Sequence, residues 1–325
     1  MKLSVFALNT SRDIGEQVAR ALDVKLGLHE EREFGDGEHK SRPLENVRGR
    51  DVFVIQSLYG DDLHSVNDKL IRLLFFLGAL RDASAGRVTA VLPYLCYARK
   101  DQKSKPRDPV ATRYLATMFE AMGVNRVLTL DVHNLAAYQN AFRICTDHLE
   151  AKSLFANYFA KTTDASDLVI MSPDIGGVKR AEALRLAMEK HLNRPVASAF
   201  VEKHRSGGVV SGGTLVGEVS EKFVIIIDDL ISSGTTIIRA AQACRAAGAT
   251  KVYCAASHGA FAEEADSVLA DSALDKLVIT DSIPASRIGS SAARAKLVIL
   301  ESAPLFAEAI RRIHTDGSLV DLLET

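Results

Sequence analysis

Two adjacent acids and a short hydroxyl-rich segment are the residues most suited to chemistry. Asp228 and Asp229 follow the apolar run Phe223–Ile227, and a glycine set among serines and threonines comes shortly after them. A small polar loop that leads into a helix presents backbone N–H groups and a positive dipole end to an anion. The loop residues are Ser232, Ser233, Gly234, Thr235 and Thr236.

An anion on this loop would be repelled by the two carboxylates unless the ligand also carried hydroxyl groups or a metal ion. A sugar phosphate meets both requirements, with its phosphate on the loop and its vicinal hydroxyls donating to Asp228 and Asp229. The alternative is an ordinary strand–loop–helix connection in which the acids only cap the helix. The pattern predicts a sugar-phosphate site and leaves this alternative open.

A second acid and a glycine pair follow another predicted strand, Leu168–Met171. Asp174, Gly176 and Gly177 connect this strand to a predicted helix, Val178–Lys190. An acid and a tight glycine turn at the amino end of a helix are typical of an edge that binds a diphosphate or a metal ion. The bare pattern is only moderately specific.

A basic loop follows the predicted strand Arg87–Pro93. The stretch from Arg99 to Arg113 contains six basic residues and two acidic ones, a net charge of +4. Charge runs are usually solvated, but open α/β sheets bind ligands at the carboxyl ends of their strands. A polyphosphate contact and a solvated face are both compatible with this loop.

Three smaller features complete the set of candidate residues. His133 follows the strand Arg126–Leu130, although a lone histidine at a strand end is more often structural. Lys203 and Arg205 precede a glycine-rich segment, which indicates a mobile lid or else a hairpin tip. The stretch Phe34–Glu38 has two glycines around an acid, which by itself predicts a β-hairpin turn with an exposed aromatic residue.

Strands and helices alternate along the chain, which predicts an α/β fold of two related Rossmann-like domains. Each domain would be a mostly parallel sheet flanked by helices. At 325 residues the chain is long for one core. We expect domains at 1–148 and 149–325, with the terminal helix Leu305–Ile313 either in the second domain or packed back on the first.

Composition narrows the class of protein. The formal net charge is −1, so no overall basic field attracts nucleic acid or an anionic membrane. The four cysteines have no close spacing typical of metal ligands, and the amino end is neither a signal peptide nor a membrane span. We expect a reduced, cytoplasmic protein without a nucleic-acid or membrane partner.

Five motifs, in order, resemble those of the ribose-phosphate diphosphokinase (PRPP synthase) family, which has the type I phosphoribosyltransferase fold. The similarity runs over nearly the whole chain, and five motifs in order are far more specific than one. No GxxxxGK[ST] loop is present. The motifs are FGDGE at 34–38, ENVRGRDVFVIQS at 45–57, SAGRVTAVLPYLCYARKD at 84–101, SPDIGG at 172–177 and IIIDDLISSGTT at 225–236.

The resemblance implies transfer of the β,γ-diphosphoryl group of ATP to the C1 hydroxyl of ribose 5-phosphate, which gives PRPP and AMP. It also implies Mg²⁺ as the cofactor and a homo-oligomer based on dimers, of which a hexamer is one form. The first domain would bind ATP and the second ribose 5-phosphate. The implied ATP residues are Phe34, Asp36, Glu38, Arg99, Lys100 and Asp101. The others are His133 and Asp174 for Mg²⁺, Gly176 and Gly177 at the diphosphate edge, Lys203 and Arg205 for catalysis, and 228–236 for the sugar phosphate.

The chain departs from the family pattern at several positions. Lys100 stands where glutamine is common, His204 where a third basic residue is common, and Ser232 where aspartate is common. The segment after His133 also departs from the usual signature. These differences leave subclass and regulation open.

Two other functions compete with this one. A phosphoribosyltransferase that consumes PRPP would share the loop at 228–236 but has no use for Phe34–Glu38 or Arg99–Asp101. A non-catalytic regulatory subunit would keep the fold, and the presence of both Lys203 and Arg205 argues against it.

Overall fold

A computed structural model describes residues 1–163, 167–206 and 209–324, without the side chains of 203–206, 209–213 and 324. The chain divides into two compact units. The first comprises Met1–Glu150 with Ser302–Glu324, and the second comprises Ala151–Glu301. Within the part of the chain that is described, no helix is both long and apolar enough to span a membrane.

The first unit contains a parallel sheet covered by helices. Among its described residues five strands lie in the order β1-β4-β5-β6-β7, so strand order follows the chain without reversal. The strands are β1 (Leu3–Ala7), β4 (Asp51–Ile55), β5 (Arg87–Leu92), β6 (Arg126–Leu130) and β7 (Cys145–Leu149). The helices are α1 (Arg12–Ala21), α2 (Val66–Asp82), α3 (Ala111–Ala121), α4 (Leu135–Ala141), α10 (Ala303–His314) and α11 (Val320–Glu324).

A separate hairpin belongs to the same unit. Its strands β2 (His29–Glu33) and β3 (His39–Pro43) pair antiparallel, with Glu33 opposite His39. The predicted turn Phe34–Glu38 forms the tip. The hairpin lies against α2, where the His39 ring stacks on Phe75 with ring centroids 5.6 Å apart.

The second unit contains a larger mixed sheet. Its described strands lie in the order β10-β9-β8-β11-β12-β13-β14, and each pairing is parallel except that of β9 with β10. The strands are β8 (Leu168–Ser172), β9 (Ala197–Ser206), β10 (Val209–Val216), β11 (Phe223–Ile231), β12 (Lys251–Gly259), β13 (Lys276–Thr280) and β14 (Leu297–Leu300). The helices are α5 (Lys152–Thr162), α6 (Val178–Leu192), α7 (Thr235–Ala246), α8 (Ala265–Leu269) and α9 (Ser291–Lys296).

Strand order in the second unit reverses at β8. The chain goes from β8 outward to β9 on one side, then returns to place β11 on the other side. Such a switch point opens a crevice at the carboxyl ends of the central strands, because the flanking helices leave in opposite directions. β11 pairs with β8 only as far as Ile226, whereas its pairing with β12 continues to Ile231. The last residues of β11 therefore border this crevice.

Both cores form where strands are covered on each face. Residues Val52–Ile55 of β4 and Val224–Ile226 of β11 have no exposed surface. Strands buried on both faces need continuous apolar runs rather than alternation, as in VFVI and VIII. The predicted α/β architecture of mostly parallel sheets flanked by helices is confirmed.

Some predicted elements differ from those observed. The strand predicted at Phe223–Ile227 continues to Ile231, so Asp228 and Asp229 lie within β11 instead of after it. Sequence reasoning missed β7, whose segment CTDHL lacks an apolar run because it is the partly exposed edge of its sheet. The backbone of 209–213, predicted as part of a lid, lies in β10. Whether the β9–β10 hairpin closes over a ligand stays a prediction.

A buried ion cluster holds the terminal helix in the first unit. The Asp51 side chain is fully buried at the start of β4. It accepts hydrogen bonds from Arg87 at 2.8 and 2.5 Å, and it lies 2.8 Å from Nδ1 of His314. Arg87 also donates to the carbonyl of Ile313 at 3.0 Å. The cluster therefore joins β4, β5 and the end of α10.

Asp51→Asn is expected to destabilise the protein by roughly 2–4 kcal/mol, because it removes the charge of the fully buried carboxylate that pairs with Arg87. The measurement is the midpoint of urea unfolding. Asp316→Asn is the matched control, since Asp316 is 88% exposed and lies 3.7 Å from the same guanidinium. The control should change stability by less than about 0.5 kcal/mol. Equal effects of the two substitutions would contradict the role of Asp51.

Candidate functional site

The paired acids lie at the carboxyl end of β11, beside the switch-point crevice. The Asp229 side chain is 8% exposed and the Asp228 side chain is 23% exposed. The backbone N–H of Asp229 donates to Oδ1 of Asp228 at 2.9 Å. The two carboxylates are thus largely removed from water and close to each other, which is costly without compensation.

Arg180 supplies part of this compensation. Its NH1 atom lies 3.6 Å from Oδ1 of Asp229 and 3.8 Å from Oδ1 of Asp228. These are ion-pair distances rather than short hydrogen bonds. Arg180 occupies the first turn of α6, so a helix that follows β8 provides the counter-ion for acids on β11.

The electrostatics of the pair are unusual for aspartates. Burial raises the pKa of Asp228 to about 7, the Asp229 carboxylate acts in the same direction, and the Arg180 guanidinium opposes both. A carboxyl group with such a pKa gains or loses its charge near neutral pH. Perturbed carboxylates in a crevice are typical of ligand-binding sites.

The hydroxyl-rich loop follows directly. Gly234 has φ +80, and a Cβ on it would lie 3.0 Å from Leu269, so both backbone and packing require glycine there. Helix α7 then begins at Thr235, whose N–H donates to Ser233 Oγ at 3.4 Å, while the N-cap residue Gly234 has no side chain with which to cap the helix. Ser233 Oγ lies 3.1 Å from the Thr235 hydroxyl. The amino end of α7 is therefore available to an anion.

The edge after β8 has a comparable construction. Asp174 accepts a hydrogen bond from the Gly177 N–H at 3.3 Å, which caps a 3₁₀ turn over Ile175–Gly177. A Cβ on Gly177 would lie 2.6 Å from Ser172 Oγ. Glycine at 177 thus lets α6 begin close to β8. The loops of 174–177 and of 232–236 border the same switch point within the second unit.

In the first unit, the hairpin tip is exposed. Phe34 is 40% exposed, and the Arg32 guanidinium lies 5.3 Å from the centroid of its ring. Asp36 Oδ1 accepts a hydrogen bond from the Glu38 N–H at 3.1 Å, which shapes the turn. An aromatic face and two acids are therefore presented to solvent.

The basic loop after β5 is closed by an internal ion pair. Lys100 Nζ lies 2.6 Å from Oδ2 of Asp108, and the same carboxylate accepts the Ser104 and Lys105 N–H groups. The hydrogen bond from Lys100 lowers the pKa of Asp108. Lys100 thus has an internal structural partner here, whereas Arg99 is exposed.

Asp101 connects this loop to the segment that carries His133. Its Oδ2 accepts a hydrogen bond from Asn134 Nδ2 at 2.7 Å, and Asn134 also caps α4 through the Ala137 N–H. His133 is exposed next to it. The structure therefore brings Asp101 and the residue after His133 together at the carboxyl edge of the first sheet.

The two residues predicted for catalysis are described only in part. The backbone of Lys203 and Arg205 lies in β9, with Lys203 opposite Gly213 and Arg205 opposite Val210. Their side chains lie outside the described residues. Their predicted contacts stay predictions.

Sequence reasoning missed two residues that the structure places at these edges. Arg180 was not predicted because it comes three residues after the SPDIGG motif, inside a helix with several other charged residues. The helical period would have indicated it, since residue 180 follows Gly177 by about one turn. Asn134 had a clearer signal, because it stands before an apolar helix as a typical cap residue.

Comparison with known families agrees with these motifs. A model described as the N-terminal domain of ribose phosphate pyrophosphokinase matches residues 3–123. A second model, the phosphoribosyl synthetase-associated domain, matches residues 201–324.

Full-length relatives extend this agreement to the whole chain. The ribose-phosphate pyrophosphokinase of Listeria ivanovii is 39% identical over 99% of this chain and 98% of its own length. That of Granulibacter bethesdensis is 39% identical over 99% of this chain and 100% of its own length. The crystal structure of phosphoribosylpyrophosphate synthetase from Mycobacterium smegmatis matches with a TM-score of 0.86 and 33% identity, covering 98% of this chain and 100% of that one. The chain therefore belongs to the ribose-phosphate pyrophosphokinase family.

Proposed function

We propose that the chain transfers the β,γ-diphosphoryl group of ATP to the C1 hydroxyl of ribose 5-phosphate, giving PRPP and AMP. The observation that carries the proposal is the second unit's switch-point crevice. It places two largely buried acids next to the hydroxyl-rich amino end of α7, in a chain whose family is known. Carboxylates and an anion site together suit a ligand that has both hydroxyl groups and a phosphate.

The acceptor binds in the second unit. The phosphate of ribose 5-phosphate lies on the loop 232–236, where N–H groups and the hydroxyls of Ser233, Thr235 and Thr236 donate to it. Asp228 and Asp229 accept hydrogen bonds from the vicinal ribose hydroxyls. These contacts orient C1 so that its hydroxyl can attack.

The donor binds through the first unit. The exposed Phe34 ring offers a face for adenine, with Asp36 and Glu38 beside it. Arg99 contacts the phosphates, and Asp101 is held in place by Asn134. The Lys100–Asp108 pair keeps the loop closed, and Lys100 contacts ATP beside Arg99.

Diphosphoryl transfer needs charge stabilisation more than covalent chemistry by the protein. The C1 oxygen attacks the β-phosphorus, and AMP leaves with the α–β bridging oxygen. Lys203 and Arg205 neutralise charge that develops on this oxygen. Such a group typically contributes about 10²–10³ in rate.

Mg²⁺ fits the donor set of this chain. No group of three or more histidine, cysteine or acidic side chains within the described ranges is arranged to hold a metal ion. Mg²⁺ is usually bound by one or two carboxylates together with waters and substrate phosphates, so a complete protein cage is unnecessary. Asp174, half-buried at its strand end in the second unit, and His133, exposed in the first unit, are each a candidate ligand of such an ion. The ion would neutralise phosphate charge.

The setting of the enzyme is part of the proposal. We expect a cytoplasmic homo-oligomer built from dimers, with ATP and ribose 5-phosphate as its small-molecule partners. The described part of the chain has no helix able to span a membrane.

The reaction predicts its products. Purified protein with Mg²⁺, ATP and ribose 5-phosphate should form AMP and PRPP in equal amounts, which chromatography of the nucleotides and a PRPP assay will measure. Omission of ribose 5-phosphate is the control and should abolish AMP formation. Formation of ADP would show a monophosphoryl kinase. A complete lack of turnover would favour the non-catalytic subunit.

Lys203→Ala is expected to lower kcat by about 10²–10³ with little change in the KM of either substrate, because its contact strengthens only in the transition state. Steady-state kinetics will measure both parameters. Lys251→Ala is the matched control, since Lys251 is exposed at the amino end of β12, opposite the edge with the acids. A weaker affinity for ATP at unchanged kcat would instead identify Lys203 as a ground-state anchor.

A further inference from the structure

Arg180 has no role in the proposed reaction so far, although its guanidinium lies next to both acids. Its guanidinium lies 3.6 and 3.8 Å from their Oδ1 atoms, and the side chain is 23% exposed. Both carboxylates interact with this one group. A positive charge shared by two acids does more than a surface ion pair, because the acids are largely buried.

The position of Arg180 is fixed by the fold. Gly177 has no side chain, so α6 begins close to β8, where any Cβ would lie 2.6 Å from Ser172 Oγ. One turn later, Arg180 lies beside the end of β11. The counter-ion is therefore built into the switch point rather than carried by a surface loop.

We propose that Arg180 is a positioning residue that holds Asp228 and Asp229 together as a pair of hydrogen-bond acceptors for the vicinal hydroxyls of the sugar phosphate. The proposal rests on the proposed function and adds a determinant of sugar specificity to it. Two facing carboxylates without a cation share a proton or turn apart, and either change removes a hydroxyl acceptor.

Support also comes from the effect of burial on the pKa of Asp228. The pKa of Asp228 is raised by burial and by Asp229, and Arg180 acts against this rise. Removal of the guanidinium would take away a group that opposes this rise, so the pKa of Asp228 would rise further. A hydroxyl group of the ligand would then meet a protonated carboxyl in a larger fraction of the molecules.

The consequence is specific to the hydroxyl groups. Ribose 5-phosphate and 2-deoxyribose 5-phosphate carry the same phosphate, and they differ in the 2-hydroxyl. A hydrogen bond to a charged acceptor typically contributes about 10- to 100-fold in affinity. Loss of Arg180 should weaken the binding of ribose 5-phosphate more than the binding of its deoxy analogue.

The test is calorimetric measurement of the dissociation constants of both sugar phosphates for the full-length protein without ATP. We expect Arg180→Gln to weaken the binding of ribose 5-phosphate by about tenfold or more and that of the deoxy analogue by less than about threefold. Arg180→Lys, which keeps the charge, should restore part of the preference. Lys179→Gln is the matched control, as Lys179 is exposed in the same helical turn.

Several outcomes would overturn the inference. Equal weakening of both sugars would show a general contact to phosphate, and unchanged affinities would show no role in binding. If circular dichroism shows that Arg180→Gln is unfolded, Arg180→Lys serves as the test. Weaker binding of both sugars by Arg180→Lys, with the ratio of their dissociation constants unchanged from wild type, contradicts the proposal. The measurement requires no turnover. A wild-type protein that binds ribose 5-phosphate but makes no PRPP would refute the proposed function without affecting this inference.

Discussion

Mutual repulsion between two neighbouring carboxylates is the constraint around which the second unit is organised. Asp228 and Asp229 are adjacent on one strand, and both are largely withdrawn from water. Such a pair is tolerated only with a nearby cation, a shared proton or a ligand that donates hydrogen bonds. The reversal of strand order at β8 meets this need, since it brings the start of α6, with Arg180, to the end of β11. Sheet topology and electrostatics thus depend on each other.

The first unit presents its candidate residues in a different way. The tip around Phe34 and most of the loop from Arg99 to Asp108 are exposed and are shaped by local hydrogen bonds. The contact between Asp101 and Asn134 joins the segments that follow β5 and β6. Residues with few buried contacts are the ones that a ligand can order, whereas the second unit's acids are positioned by the core itself.

The sequence was sufficient for most of the architecture because buried parallel strands leave a clear signal. The runs VFVI and VIII are continuous and apolar, and they became β4 and β11. The ends of the helices and strands were harder to predict from the sequence. Helix α2, for example, begins at Val66 because Ser65 and Asp68 form a capping box at 2.8 and 3.1 Å.

The candidate site was predictable where it lies within motifs and not where it depends on contacts across elements. The acids and the glycines were evident, since their residue types demand anion or hydroxyl chemistry. Arg180 pairs with acids almost fifty positions later in the chain because strand order brings them together. No local sequence pattern predicts strand order. Lys100 shows the converse case. Its contact with Asp108 at 2.6 Å was not indicated by any motif, and its phosphate contact stays a prediction.

The ion cluster of Asp51, Arg87 and His314 has a consequence for the order in which the two units complete their folding during synthesis. Residues 302–324 belong to the first unit but are synthesised after the whole of the second. The second unit is continuous in sequence and can complete its core as soon as it leaves the ribosome. In the first unit, the Asp51 carboxylate gains its contact with His314 only after α10 has been synthesised. During synthesis, the earlier half of the molecule is therefore finished later, with its α10-facing surface exposed in the meantime.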